Sequence, residues 1–90
     1  MGRVSVEKPT KEKLDALNIN EWSQWQCEAK KFDWEYDDKE MFYVLEGKVN
    51  VVTDDGEAVE FGRGDLVTFQ KGVKCTWDVK EKIKKVYKFG

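Results

Sequence analysis

The sequence predicts an all-β domain: a compact double sheet of short antiparallel strands with one short helix near the N-terminus. Two observations carry this. Short apolar or β-branched runs recur through the second half, at Met41–Leu45, Val49–Thr53, Ala58–Phe61, Leu66–Phe69, Cys75–Val79 and Ile83–Phe89. Between them Gly47, Gly56, Gly64 and Gly72 fall at intervals of nine, eight and eight residues. Strands of this length, separated by turns at this spacing, are the signature of a sandwich or barrel.

Each element follows from its residues. The helical candidate is Thr10–Leu17, capped by Thr10, with Pro9 just outside and Leu14 and Leu17 three residues apart. Between Trp25 and Tyr36 the alternation changes phase. Trp25, Cys27 and Ala29 share odd parity, whereas Phe32, Trp34 and Tyr36 are even, so a bulge or corner is expected at Lys30-Lys31. Asp54-Asp55-Gly56 reads as a two-residue type I′ hairpin turn, and Gly62-Arg63-Gly64-Asp65 as a second tight connection. The run from Lys80 to Lys88 holds five lysines against one acid, and reads as a solvated edge strand guarded by lysine. Eight or nine short strands result.

Ninety residues support one domain. At 40% apolar and 38% charged, the chain is too apolar for disorder and too charged for a membrane span. There is no histidine. That excludes His–Ser and His–Cys catalytic pairs, imidazole metal ligands and histidine-based switching near neutral pH. A net charge of −2 with only two arginines, Arg3 and Arg63, argues against a nucleic-acid partner. Cys27 and Cys75 are far apart without CxxC spacing, so reduced thiols and a cytoplasmic location are expected, with no membrane partner.

The stretch from Glu40 through Gly47 to Val49, followed by Gly64-Asp65-Leu66-Val67-Thr68-Phe69 and Gly72, resembles the cupins. The likeness is to small single-domain cupins related to ureidoglycine aminohydrolase and the EutQ-like proteins. In the first cupin motif a glutamate precedes a glycine by six intervening residues, as Glu40 precedes Gly47. In the second, Gly64, Gln70, Gly72 and Cys75 occupy the places of glycine, proline, glycine and histidine, so Gln70 and Cys75 depart from the pattern. The likeness covers Phe32–Phe89. It implies a cupin-type jelly-roll barrel of two antiparallel sheets over 1–90, with the N-terminal strand and short helix in 1–22 and the barrel in 23–90.

Metal-binding cupins hold a divalent ion on two first-motif histidines, the glutamate, and the second-motif histidine. A three-residue gap puts the first two positions at Trp34 and Tyr36; a four-residue gap puts them at Asp33 and Glu35. The shared parity of Phe32, Trp34, Tyr36, Glu40 and Phe42 favours the first. The implied pocket is then Trp34, Tyr36, Glu40, Cys75 and Trp77, with Phe69 beneath or beside it. Glu40 and Cys75 supply two ligands where tetrahedral zinc needs three or four. No cofactor is therefore expected beyond a weakly held divalent cation. The acidic run Asp33–Glu40 lacks the glycine and terminal glutamate of a calcium loop, and reads as a solvated loop.

Glu40 is the residue on which function is expected to turn, since a carboxylate inside a barrel needs a partner, a ligand or a proton. Four Trp, three Tyr and five Phe suggest a small, partly apolar or planar ligand, or else a filled barrel. Trp22 and Trp25 are placed to cover the barrel or a dimer contact. The leading expectation is a metal-free small-molecule binding or sensing module, acting as a homodimer. A metal-dependent or glutamate-based lyase, isomerase or hydrolase is the first alternative, and a structural dimeric interaction protein the second.

Overall fold

The computed structural model describes residues 3–90. Along them run strand β1 (Val4–Glu7), helix α1 (Lys11–Leu17), a 3-10 turn (Ile19–Glu21), and strands β2 (Ser23–Cys27), β3 (Lys31–Glu35), β4 (Glu40–Thr53), β5 (Ala58–Gly62), β6 (Leu66–Phe69) and β7 (Lys74–Phe89). The all-β class and the short helix stand as expected. Thr10 caps α1, its Oγ1 accepting from the backbone N–H of Lys13 at 3.1 Å, and Asn18 closes it in the left-handed region.

The strands are fewer and longer than the glycine spacing suggests. Met41–Leu45 and Val49–Thr53 are halves of one 14-residue strand, and Cys75–Val79 and Ile83–Phe89 are halves of one 16-residue strand. These two strands pair with each other along almost their whole length, and both pass from one layer of the barrel to the other. The first half of β4 and the second half of β7 lie between β6 and β2, with β1 outside β6. The second half of β4 and the first half of β7 lie between β5 and β3. All pairings are antiparallel, so the two sheets are one hydrogen-bonded surface folded across itself.

The fold line falls at Gly47, which does not turn the chain but bulges it. Register shifts occur from Val44 to Val49, and inward residues change from even (Phe42, Val44) to odd (Val49, Val51). Gly47 has φ +106, and a Cβ there would overlap the Lys82 carbonyl and stand 2.7 Å from Ile83 Cα. Only glycine allows β7 this close. The phase change near Lys30-Lys31 is likewise a corner. It carries the chain from β2, paired with the second half of β7, to β3, paired with the first half.

Two local expectations are corrected. The β4–β5 turn is not type I′, because Asp54 and Asp55 keep negative φ and only Gly56 is left-handed, at φ +88. Gly56 N–H donates to Thr53 O and Thr53 N–H to Glu57 O, a longer loop closed by a left-handed glycine. The lysine-rich C-terminal segment is not an edge, since β7 is flanked by β4 on one side and by β2 and β3 on the other. Lys80, Lys82 and Lys84 have even parity and pair outside with Asp78, Glu28 and Glu46. Period-two alternation gives a central strand one wet face when it lies in a barrel wall. Among the described residues, no helix is long and apolar enough to cross a membrane.

Candidate functional site

Odd residues of β7 point inward on either side of its exposed crossing at Lys80–Lys82: Cys75, Trp77 and Val79 before it, Ile83 and Lys85 after it. That parity places an ammonium group inside the barrel. Lys85 is 6% exposed, and its Nζ donates to Oε2 of Glu40, itself 4% exposed, at 2.7 Å. Glu40 opens β4 and sits where β4 pairs with both Phe69 of β6 and Phe89 of β7. The surroundings of the pair are aromatic. Lys85 Nζ stands 4.0 Å from the ring centre of Phe42, 5.0 Å from those of Trp25 and Trp77, and 5.6 Å from that of Tyr87. Such faces attract a cation, most strongly when water is excluded.

Next to this pair lies a cavity of about 200 Å3. Trp25, Phe32, Trp34, Tyr36, Trp77, Tyr87 and Phe89 form its walls, and Glu40 and Lys85 are its charged groups. Phe32 stacks on Trp77, and Trp34 meets Tyr36 edge-on. Trp34 is 49% exposed, so it forms the rim rather than the interior. Tyr36 is buried, held by backbone bonds from its N–H to Val73 O and from Gly72 N–H to its own carbonyl. Burial, helped by the nearby Glu40 charge, pushes the Tyr36 phenol far above its ordinary value, so it stays a neutral hydroxyl.

Of the six residues singled out from the sequence, Trp34, Tyr36, Glu40 and Trp77 come together here. Phe69 does not touch the cavity. It is fully buried beneath it, stacked on Tyr36 at 4.5 Å between ring centres. Cys75 is also outside: it lines a different, open depression of about 510 Å3 with Asp33, Trp34, Val52, Thr53 and Asp54. That larger hollow is a shallow groove among exposed side chains. The smaller cavity is less open and holds the buried charges. Cys75 is separated because it pairs with Trp34 and Thr53 at the far end of β7, ten residues before Lys85.

Sequence reasoning missed Lys85, together with Trp25, Tyr87 and Phe89 as its neighbours. The signal was present in the odd parity that Lys85 shares with Trp77, Ile83 and Tyr87. It was masked by four even-numbered lysines in the same run.

Burial lowers the Lys85 ammonium from its ordinary value, and the adjacent Glu40 opposes that fall. Burial of Cys75 pushes its thiol up to about 11, with Asp33 and Asp54 adding to the effect. The Trp77 indole N–H is near enough to the Tyr36 and Cys75 side chains to favour their ionised forms, yet it makes no hydrogen bond of good geometry.

These directions set an alkaline limb. A thiol raised from 9.0 to about 11 contributes stability that is complete below pH 9 and lost as pH climbs through 11. The raised Tyr36 phenol acts in the same direction above its ordinary value of 10.0. The lowered Lys85 acts oppositely, its burial costing less as pH rises towards 10.5. In Cys75→Val the fall in the urea midpoint between pH 8 and 10 should therefore be shallower than in the parent. Parallel curves for the two proteins would contradict this.

The donor set does not suit a divalent metal. Glu40 is already neutralised by an ammonium 2.7 Å away. Among the described residues, no three of Cys, Asp and Glu come close enough to share an ion. Asp33 and Glu35, the ligands under the four-residue spacing, are exposed, as are Asp37 and Asp38.

Comparisons with known proteins agree with this geometry at the level of the fold. A family profile described as the EutQ-like cupin domain matches residues 14–87. A DUF861 family protein of Thermotoga maritima, known as a crystal structure, is 48% identical over 97% of this chain and 99% of its own, with a TM-score of 0.96. The EutQ protein of Clostridium difficile is 26% identical with a TM-score of 0.64; the match takes in 71% of this chain and 50% of that longer protein. A putative ethanolamine utilization protein Q of Salmonella typhimurium, 21% identical over 96% of this chain and 68% of its own, has a TM-score of 0.66 and speaks for the fold alone. No curated protein sequence matches the chain.

Proposed function

Since this chain belongs to the EutQ-like cupin family, we propose that it keeps the family's barrel as a metal-free binding site for a small molecule. The observation that carries this reading is the aromatic-walled cavity whose charged groups are one buried ion pair, Glu40–Lys85. Cupins host many chemistries, so the family supports a barrel interior as the site but not a reaction. The occupant is read from the lining. Seven aromatic side chains favour a planar or partly apolar body.

The polar recognition is paired. Lys85 uses one of its three donors on Glu40, and among the described residues the second Glu40 oxygen has no partner, so a donor and an acceptor stand side by side. A ligand bearing a carbonyl or carboxylate oxygen for Lys85 and a donor for Glu40 meets both. At about 200 Å3 the cavity holds a molecule of several non-hydrogen atoms, given a share of about 30 Å3 per water in the liquid.

A thermal-shift screen of small carbonyl, carboxylate and amide compounds tests the reading. A true ligand at about a hundredfold excess over its Kd adds about 2.7 kcal/mol, which is about 10–20 °C in a domain of this size. Trp34→Ala removes a half-exposed rim ring rather than core, so its melting temperature should stay near the parent's while affinity falls. A flat response across the screen, with Trp34→Ala indistinguishable from the parent, would favour a structural role for the barrel.

A further inference from the structure

We propose that Lys85 is a carbonyl-capturing nucleophile: its Nζ forms a reversible imine with a small aldehyde or ketone seated in the aromatic cavity, and Glu40 moves the protons. The inference rests on the reading of the cavity as a small-molecule site and names the class of molecule.

Three features of the geometry point to it. Lysine is the side chain best suited to condense with a carbonyl, and Lys85 is the one that lines this cavity. Imine formation needs a group that takes a proton from the amine and returns it to the departing oxygen. Glu40 is at hydrogen-bond distance, 2.7 Å, and among the described residues its second oxygen has no hydrogen-bond partner. The inner walls are aromatic, with Tyr36 and Trp77 buried, and they keep water from the inner side of the cavity once the iminium forms. The rings of Phe42, Trp25 and Trp77 that surround the ammonium would stabilise the iminium cation in the same place. The structure supplies no need for an aliphatic ammonium in this position: an apolar pair of similar volume would fill the barrel at less desolvation cost.

The step balances without an outside oxidant or reductant. Glu40 takes a proton from the Lys85 ammonium, and the freed nitrogen lone pair attacks the carbonyl carbon. The carbon–oxygen π pair moves to oxygen, which receives that proton to give a carbinolamine. Glu40 then removes the proton left on nitrogen by the attack and delivers it to the hydroxyl. Water leaves as the nitrogen lone pair closes the carbon–nitrogen double bond. An ammonium and a carbonyl have become an iminium and one water, with unchanged charge.

The test is reductive trapping. The full chain is incubated with propanal, benzaldehyde or pyruvate and sodium cyanoborohydride, and the adducts are mapped by peptide mass spectrometry. Lys85 should take up one equivalent faster than exposed Lys82 and half-exposed Lys84 on the same strand. In Glu40→Gln, trapping at Lys85 should slow by about a hundredfold, the low end of general acid–base effects, while labelling of Lys82 and Lys84 stays the same. The wild-type map needs no variant to fold. Adducts spread over exposed lysines with Lys85 untouched would overturn the imine. If the same compounds, or their alcohol analogues, still raise the melting temperature in that case, the pocket remains a non-covalent site. If they raise nothing and trap nothing, both readings fall together.

Discussion

Glu40→Leu and Lys85→Met should each lower stability by about 3–5 kcal/mol, whereas the double variant should recover most of that loss or exceed the parent. Each single change leaves one charge stranded among aromatic rings: Lys85 between Phe42, Trp25 and Trp77, or Glu40 beside Tyr36. Removing both leaves apolar side chains of similar size in an apolar setting. Urea unfolding of the four proteins closes a double-mutant cycle, and the coupling term isolates the pair. Single variants within about 0.5 kcal/mol of the parent would mean that water reaches the pair freely. The double variant also separates folding from function. A protein that is stable and no longer binds or traps carbonyl compounds would show that the ion pair is kept for its chemistry.

Phe69→Ala should cost about 3–5 kcal/mol, the range for emptying a buried aromatic site. For a ninety-residue domain this is a large part of the total stability. Phe69 is fully buried, stacked on Tyr36 and within 6.4 Å, ring centre to ring centre, of Phe42, Phe61 and Trp77. Phe69→Leu keeps more of the volume and should cost under about 1.5 kcal/mol. The pair of variants also bears on binding. If Phe69 only supports Tyr36 from below, Phe69→Leu should weaken ligand binding modestly and through Tyr36, because every side chain that meets the ligand is still in place. A loss of binding as deep as that of Lys85→Met would place Phe69 in the pocket after all. Melting curves and calorimetric titrations on the two variants settle which.

Much of the barrel was legible because its signals are local. Glu40 and Gly47 stand at the cupin spacing, and the strand runs alternate with period two. The odd-to-even switch after Ala29 marks the corner between β2 and β3. What local pattern does not say is whether two neighbouring runs are two strands or one. Gly47 interrupts the apolar pattern in either case. Its role as a bulge depends on Lys82 and Ile83, 35 and 36 residues later, pressing against it. The same holds for β7. Lys80, Glu81 and Lys82 are exposed where the strand crosses between layers, so a continuous strand reads as two runs with a polar gap.

The candidate site divides along the same line. Glu40, Tyr36, Trp34 and Trp77 follow from motif and parity, since Trp34, Glu40 and Trp77 sit on strands and Tyr36 continues the parity of β3 one residue past its end. Cys75 shares parity with Trp77 but stands at the far end of the strand, and only the three-dimensional course of β7 separates it from Glu40. Phe69 lies beneath the cavity, one of the two places its parity allowed, and supports Tyr36 rather than lining the pocket.

By itself the sequence determined the all-β class, the capped helix, the lack of any imidazole and the single carboxylate at the cupin position. All of these depend on residue type and short spacing. The tertiary structure alone decided what neutralises that carboxylate. A divalent ion would need ligands that the described residues do not bring together, and the charge opposite Glu40 comes instead from Lys85, 45 residues away. Lysine looks the same in sequence whether its ammonium is hydrated or buried. The difference is made by which strand lies across from it, and here β4 lays Glu40 and Phe42 beside it.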